Sequence, residues 1–131
     1  MSLNVSPTLL AQAEQGDIDG AAFVATVEAS LPYAYGLVSD LSDRLAATAD
    51  REFADNQTPP PSEAERGQLL RALASDSIRG SLEQHFGVKL AFQNCHRVAV
   101  FRPEAVGSET YRRFTSSRAQ VLNQSPEFRD C

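Results

Sequence analysis

Cys95, His96 and Arg97 follow one another in a polar stretch of the sequence and have the side chains best suited to chemistry. A cysteine attacks as its thiolate, and a nearby imidazolium or guanidinium lowers the pKa of the thiol. A thiol-dependent enzyme that uses Cys95 is therefore one hypothesis. Side chains of sequence neighbours tend to diverge, however, and no motif supplies a third residue to orient the histidine. We expect no catalytic residue and take Asn94, Cys95, His96 and Arg97 as a candidate functional loop.

The histidine and cysteine side chains also raise the hypothesis of a metal site. His85, Cys95, His96 and Cys131 are all the histidines and cysteines of the chain, and these types suit zinc. Their spacing matches no C-x₂₋₄-C or H-x₃₋₅-H pattern, and an adjacent Cys-His pair chelates poorly. The sequence therefore predicts neither a metal nor another cofactor.

Charge is unevenly distributed along the 131 residues, whose net charge is −5. Residues 1–60 carry nine acidic and two basic residues, whereas residues 61–131 carry eight and ten. The acidic total argues against nucleic acid or an anionic membrane as a partner. No signal peptide and no apolar run long enough to span a membrane is present, so we expect a cytoplasmic protein. The basic half offers a candidate basic surface made of Arg79, Arg97, Arg112 and Arg113.

The pattern of apolar residues in the first half of the chain predicts helices. An apolar stripe runs at steps of three and four through Val24, Val27, Leu31, Ala34, Val38, Leu41 and Leu45. Pro32 interrupts it, so either one helix kinks there or Ser30 caps a second helix. We interpret the stripe as the core face of a bundle.

A polar segment at 50–61 with three consecutive prolines predicts a flexible or rigid linker. It separates an N-terminal helical half from a helix-hairpin-helix half of a single domain over 1–131. Ser62 and Glu65 then form a capping box that opens a helix. Whether 62–86 is one helix or a helix-turn-helix stays open; one face at steps of four would carry Leu70, Ala74, Ile78, Leu82 and Phe86.

The periodicity changes from helical to alternating after Gly87. Apolar residues alternate around Leu90 and again around Val100, which predicts a β-hairpin. Ser108 caps a last helix, whose apolar side carries Tyr111, Phe114, Val121 and Leu122. The predicted fold class is α+β: a mainly helical bundle with one C-terminal β-hairpin packed on helices.

Five stretches carry a whole-chain resemblance: 57–61 (QTPPP), 67–74 (GQLLRALA), 85–87 (HFG), 92–101 (FQNCHRVAVF) and 125–131 (SPEFRDC). In these stretches the chain resembles a family of short uncharacterised proteins from high-GC Gram-positive bacteria. The resemblance implies a bacterial, cytoplasmic setting. It implies no established activity and no functional residue.

Three functional hypotheses follow. The leading one is a non-enzymatic cytoplasmic interaction or regulatory domain. The alternative is a winged-helix-like regulator that binds nucleic acid, with a helix at 78–86 for recognition and the hairpin as its wing. The third is the Cys95 enzyme.

A homodimer is expected for two reasons. The stripe over 24–45 needs a covering surface, and a two-stranded hairpin leaves unpaired backbone groups at its edges. We also expect twelve residues to be mostly buried: Val24, Val27, Leu31, Val38, Leu41, Leu70, Ile78, Leu82, Phe86, Leu90, Val100 and Phe114.

Overall fold

The computed structural model describes residues 3–93 and 96–123. Within them it holds seven α-helices, one 3-10 turn and one antiparallel sheet of three strands, which confirms the predicted α+β class. In chain order the elements are α1 (Pro7–Glu14), α2 (Gly20–Ser30), α3 (Pro32–Ala46), β1 (Phe53–Asp55), α4 (Glu63–Leu73), α5 (Asp76–Phe86), β2 (Lys89–Gln93), β3 (Arg97–Phe101), the 3-10 turn (Pro103–Ala105), α6 (Glu109–Phe114) and α7 (Ser117–Leu122).

The apolar stripe forms two helices, α2 and α3, which meet at Leu31 with a bend of 113°. Pro32 occupies the first turn of α3, where its missing N–H leaves no intrahelical bond unmade. Leu31 offers no side-chain cap. Ser30, the expected cap, instead accepts a hydrogen bond from the backbone N–H of Asn4 at 2.9 Å.

The cap of α3 comes from another helix. Gln68 Oε1 in α4 accepts hydrogen bonds from the backbone N–H groups of Tyr33, at 2.7 Å, and Ala34, at 3.2 Å. A helix start leaves its first N–H groups unpaired, and this one side chain satisfies two of them. Gln68 therefore fixes α4 against the bend between α2 and α3.

The stripe is covered inside the chain itself. Val27, Leu31, Val38 and Leu41 are fully buried and belong to one cluster with residues of α4, α5 and the sheet. Burial of side chains of this size is the main favourable term in folding. The stripe therefore does not require a second copy of the chain, contrary to the first reason for expecting a dimer.

Residues 62–86 form two helices, which answers the question that the sequence left open. The Ser62 hydroxyl accepts from the N–H of Glu65 at 3.3 Å, as the capping box predicts. A second serine, Ser75, accepts from the N–H of Ile78 at 3.4 Å and opens α5.

The break between α4 and α5 also changes which face of α4 is buried. Leu70 is 54% exposed, so its predicted place in the core is wrong. The expected face at steps of four assumed one continuous helix, but a break resets the helical phase. The buried positions of α4 are Leu69, Ala72 and Leu73. Phe86 is half-buried, and the other ten predicted core residues are buried.

Strand β1 lies inside 50–61, the segment whose composition predicts a linker. Phe53 pairs with Phe101 and Ala54 with Val100, so β1 extends the predicted hairpin on its β3 side. Three residues are too few for an alternating pattern to show. The strand order is β1-β3-β2, which leaves only β1 and β2 at the edges of the sheet. The second reason for a dimer, the open edges, therefore applies to β1 and β2 and no longer to β3.

Both faces of the sheet are covered. Leu90, Val98 and Val100 belong to the main cluster with the helices. On the other face, Phe101 and Phe114 belong to a second cluster with Ala91, Ala99 and Ala105. Phe101 and Phe114 meet edge to face with ring centroids 5.8 Å apart.

The last predicted helix is also split. Ser108 caps α6 by accepting from the N–H of Tyr111 at 3.1 Å, as expected. Ser116 then caps a separate helix, α7. The predicted apolar side is wrong in this second part, since Val121 is 70% and Leu122 54% exposed.

The order of elements from α3 to β3 is helix, strand, helix, helix and hairpin, with the first strand paired to the last. This is the order of a winged-helix domain. Here α5 occupies the position of the recognition helix, and the hairpin of β2 and β3 occupies that of the wing. The unpredicted strand β1 completes the pattern.

Candidate functional site

Two of the four residues of the predicted loop, His96 and Arg97, lie at the start of β3. Asn94 and Cys95, the candidate thiol, lie outside the described residues. His96 and Arg97 are described and half-buried.

His96 has an unusual backbone conformation and a partly buried ring. Its φ of 63° is in the left-handed region, which non-glycine residues rarely adopt. Its ring lies 6.0 Å from that of Phe92, and its Nδ1 is buried without a hydrogen-bond partner. Burial lowers the pKa of His96, and the positive charge of Arg66 lowers it further. The imidazole of His96 therefore stays neutral over a wider pH range than that of a free histidine.

Asn56 fastens this turn to the end of β1. Its Nδ2 donates to the carbonyl oxygens of Thr58, at 3.2 Å, and His96, at 3.1 Å. Its Oδ1 accepts from the N–H of Val98 at 2.9 Å, and its own N–H donates to the Val98 carbonyl at 3.3 Å. Asn56 is 4% exposed, so these bonds satisfy a buried amide. Nothing in the sequence around Asn56, a polar residue in the segment predicted as a linker, indicates this role.

Arg97 pairs with Asp55 across the sheet. Its Nε and Nη2 lie 2.8 Å and 2.5 Å from Asp55 Oδ2, and the Asp55 side chain is only 9% exposed. The guanidinium carbon also lies 5.8 Å from the ring centroid of Phe114. The hairpin, β1 and α6 therefore meet at this side chain.

The remaining members of the predicted basic surface are spread over the fold. Arg79 donates to the Leu73 carbonyl at 2.9 Å and to Asp76 at 2.6 Å, so it joins α5 to the end of α4. Arg112 donates to the carbonyl of Gly107. Arg113 pairs with Glu109 at 2.7 Å. Of the four predicted arginines, Arg97 and Arg113 line one cavity, and Arg79 and Arg112 do not line it.

That cavity, called here the arginine cleft, has a volume of about 400 Å³ and lies between the hairpin and the helices α6 and α7. It is lined by Arg97, Arg113, Arg118 and Gln93, together with Ser116, Ala119, Leu122 and Asn123. Sequence analysis missed Gln93 and Arg118, because nothing local marks a residue that faces a cavity built from three elements.

Arg102 also has a role that its sequence context does not reveal. Its Nη2 donates to the carbonyls of Leu45, at 2.7 Å, and Thr48, at 2.5 Å, and its Nε donates to that of Arg51 at 2.9 Å. These carbonyls lie at and just after the end of α3, where a cation is favourable. Arg102 therefore positions the segment that leads into β1.

The outer edge of β1 faces two open cavities. One, of about 500 Å³, is bounded by the end of α3 and by Phe53, Ala54, Asp55 and Gln57. The other, of about 480 Å³, is bounded by Asp50, Arg51, Glu52, Phe53, Asp55 and Thr110. Among the residues that the structure describes, no strand pairs with β1 on the side away from β3.

The helix in the recognition position presents little positive charge. Among α5 residues, Asp76 and Glu83 are acidic, and Arg79 is already bound to Asp76. Glu83 Oε2 accepts from the N–H of Leu90 at 2.8 Å and so ties α5 to β2. Helix α2 packs against α5, and residues of both helices line a cavity of about 230 Å³.

Metal sites and membrane spans were the two other classes of feature that the residue types left open, and both concern the part of the chain that the structure describes. No group of three or more His, Cys, Asp or Glu side chains is placed to hold a metal ion there. No single helix in that part is long and apolar enough to cross a membrane; α2 and α3 reach the required length only as a bent pair.

Comparison with known proteins gives one result. Neither the curated proteins nor the solved structures yielded a match. A family model described as "NucS shadow ORF" matches residues 1–131, which confirms the predicted resemblance to an uncharacterised family; a bacterial source stays a prediction. The chain therefore belongs to the NucS shadow ORF family.

Proposed function

We propose that this chain is a non-enzymatic interaction domain that pairs with a second copy of itself through the outer edge of β1. The observation that carries the proposal is the position of β1 at the end of the sheet, beside two open cavities. An accessible strand edge is a template for another strand.

The backbone pattern identifies the groups that would pair. Arg102 N–H donates to the Glu52 carbonyl at 3.1 Å, and Asn56 N–H donates to the Val98 carbonyl at 3.3 Å. Bonded residues alternate along an antiparallel ladder, so Ala54 also directs its backbone groups toward β3. Phe53 and Asp55 then direct theirs outward, which leaves two donors and two acceptors for a partner strand.

The charge around this edge favours a second copy over a strongly charged partner. Arg44 and Arg51 are positive, and Asp50, Glu52 and Asp55 are negative. Because both signs are present along the edge, two identical edges can approach without a dominant repulsion.

The association should be weak. Stable interfaces bury about 1,200–2,000 Å² in total, and three residues of strand pairing supply only part of that area. We therefore expect a concentration-dependent dimer with a dissociation constant of about a micromolar or weaker.

Sedimentation equilibrium over a wide concentration range tests the proposal. Arg51→Glu would place three consecutive acidic side chains beside the edge and should weaken dimerisation about tenfold at low salt. The Arg51 side chain makes no hydrogen bond or ion pair that the described residues show, so the fold should be unaffected. Lys89→Glu makes the same charge change on β2, at the opposite edge, and should leave the dimer intact. A monomer at all concentrations, or an equal loss in both variants, would contradict the proposal.

A nucleic-acid-binding regulator is the second candidate, favoured by the winged-helix order of elements. DNA readers of this type insert a helix into the major groove and neutralise phosphates with cations. The acidic Asp76 and Glu83 outnumber Arg79 on α5, and this negative charge and the packing of α2 against α5 do not favour that use. Anisotropy of labelled duplex DNA at low salt separates the two: a complex that weakens steeply with added salt would support the regulator.

The family description names a reading frame rather than an activity. Every functional proposal therefore presupposes that the chain is made and accumulates in its own cell. Targeted mass spectrometry of the tryptic peptide over residues 52–66 tests this premise, because that peptide contains β1 and the three prolines.

A further inference from the structure

The charged side chains that line the arginine cleft are all of one sign among the described residues. Arg97, Arg113 and Arg118 line it, and no acidic side chain within residues 3–93 and 96–123 does. The protein as a whole has a net charge of −5, so this is a local positive region in an acidic molecule. A recessed site lined by one sign of charge concentrates ions of the opposite sign.

The three arginines differ in how far they are neutralised. Arg97 pairs with the largely buried Asp55. Arg113 pairs with Glu109, but their side chains are 77% and 71% exposed, and exposed pairs of this kind contribute little. Arg118 makes no ion pair that the described residues show. Arg113 and Arg118 are therefore the side chains that can exchange their present surroundings for a ligand at the smallest cost.

Gln93 contributes a buried polar side chain to the wall of the cleft. It is 4% exposed, and its Nε2 donates to the Phe114 carbonyl at 2.7 Å. This bond fixes the amide, while Oε1 is buried without a hydrogen-bond partner. A buried acceptor without a donor is unfavourable, so a donor brought by a bound molecule would stabilise it.

We propose that the arginine cleft binds a small organic anion that carries a phosphate or carboxylate group and a hydrogen-bond donor. Guanidinium groups match the geometry of both anions. The volume of about 400 Å³ lies in the range of small-molecule sites. Ala119 and Leu122 line the same cleft and offer apolar contact for the organic part. The site is distinct from the outer edge of β1 and does not depend on the dimer.

Titration of the full chain with inorganic phosphate and with citrate tests this inference, with sodium chloride at equal ionic strength as reference. The arginine Nε–Hε signals in ¹H–¹⁵N spectra and the thermal midpoint are followed together. We expect saturable shifts at Arg113 and Arg118 and a midpoint that rises with phosphate or citrate. The response to each anion shows whether the cleft prefers phosphate or carboxylate.

Neighbouring arginines provide matched variants. Arg113→Met and Arg118→Met should each weaken binding about tenfold, because each removes a charge-assisted contact. Arg112→Met removes the same charge from the adjacent position, outside the cleft, and should bind as the unmodified chain does. Equal weakening in all three variants, or shifts that follow ionic strength alone, would overturn the proposal. Preferential displacement of the anion by duplex DNA would assign the cleft to a nucleic-acid backbone instead and would also overturn it.

Discussion

The side chain of Asn56 donates a hydrogen bond to the backbone carbonyl of His96 at 3.1 Å, across forty positions of the sequence. With two bonds to Val98, it continues the pairing of β1 and β3 past the end of the strand. The start of β3 is thereby fixed by a residue from the segment that precedes α4. This contact links the end of β1 to the start of β3.

Replacing Asn56 with alanine should destabilise the protein by about 2–3 kcal/mol. The change leaves the carbonyls of Thr58 and His96 and the N–H of Val98 without their partner, and buried groups of this kind are costly to leave unpaired. The free energy of unfolding from urea titration gives the value. Gln57→Ala removes an exposed amide at the next position and should cost less than about 0.5 kcal/mol. Equal costs for the two variants would mean that Asn56 has no special role.

Gln68→Ala should cost about 1–2 kcal/mol, because α3 loses the acceptor for two N–H groups at its start. Gln68→Glu keeps an acceptor and adds a negative charge near the positive end of the helix dipole, so it should retain most of the stability. Gln84→Ala, on the exposed side of α5, provides the control for loss of a helical glutamine. The cap is refuted if Gln68→Ala matches that control in urea unfolding.

Leu69 and Leu70 test which face of α4 is buried. The structure buries Leu69, whereas the pattern at steps of four predicts that Leu70 is buried. Leu69 is fully buried and Leu70 is 54% exposed. Leu69→Ala should therefore cost about 2–5 kcal/mol, whereas Leu70→Ala should change stability by less than about 0.5 kcal/mol. The reverse ranking in thermal and urea unfolding would show that 62–86 is one helix with a single phase.

Stability should fall as the pH drops below about 6.5, because burial and then Arg66 lower the pKa of His96 in the folded state. The unfolded chain takes up a proton near the ordinary pKa, while the folded chain resists it. The contribution of His96 is therefore full above the unfolded value and is lost as the pH falls through this window. Urea midpoints measured between about pH 7.5 and about pH 5.5 report it.

His96→Asn should flatten this dependence, since asparagine does not titrate and tolerates the left-handed backbone of position 96. His85→Asn, in the other histidine, should leave it in place. An unchanged slope in the His96 variant would assign the pH effect to other groups.

The hairpin and the helix starts were predictable because their signals are local. Alternation around Leu90 and Val100 marks the two long strands, and Ser62 and Ser108 mark helix starts within four residues of the groups they cap. The side of each helix that is buried was predictable only where no break intervened. Leu70 shows the consequence of an unrecognised break.

Strand β1 and the arginine contacts were not predictable in this way. Phe53 pairs with Phe101, which is distant in the sequence. A strand of three residues is also too short to show a periodic pattern. The partners of Arg97 and Arg102 are likewise distant: Asp55 for the first, and the carbonyls at the end of α3 for the second. A count of arginines indicates charge, but only the fold shows that Arg102 serves α3 and that Arg118 lines a cleft with Arg97 and Arg113.

Amide hydrogen exchange at Phe53, Ala54 and Asp55, followed by NMR at several protein concentrations, tests most directly that β1 is a strand with an open outer edge. The account predicts a protected Ala54 amide at every concentration. It predicts Phe53 and Asp55 amides that exchange fast in dilute solution and become protected as the concentration rises. Fast exchange of all three amides at every concentration would show that residues 53–55 form a linker and not a strand. Protection of all three amides in dilute solution would show that the outer edge of β1 is already covered.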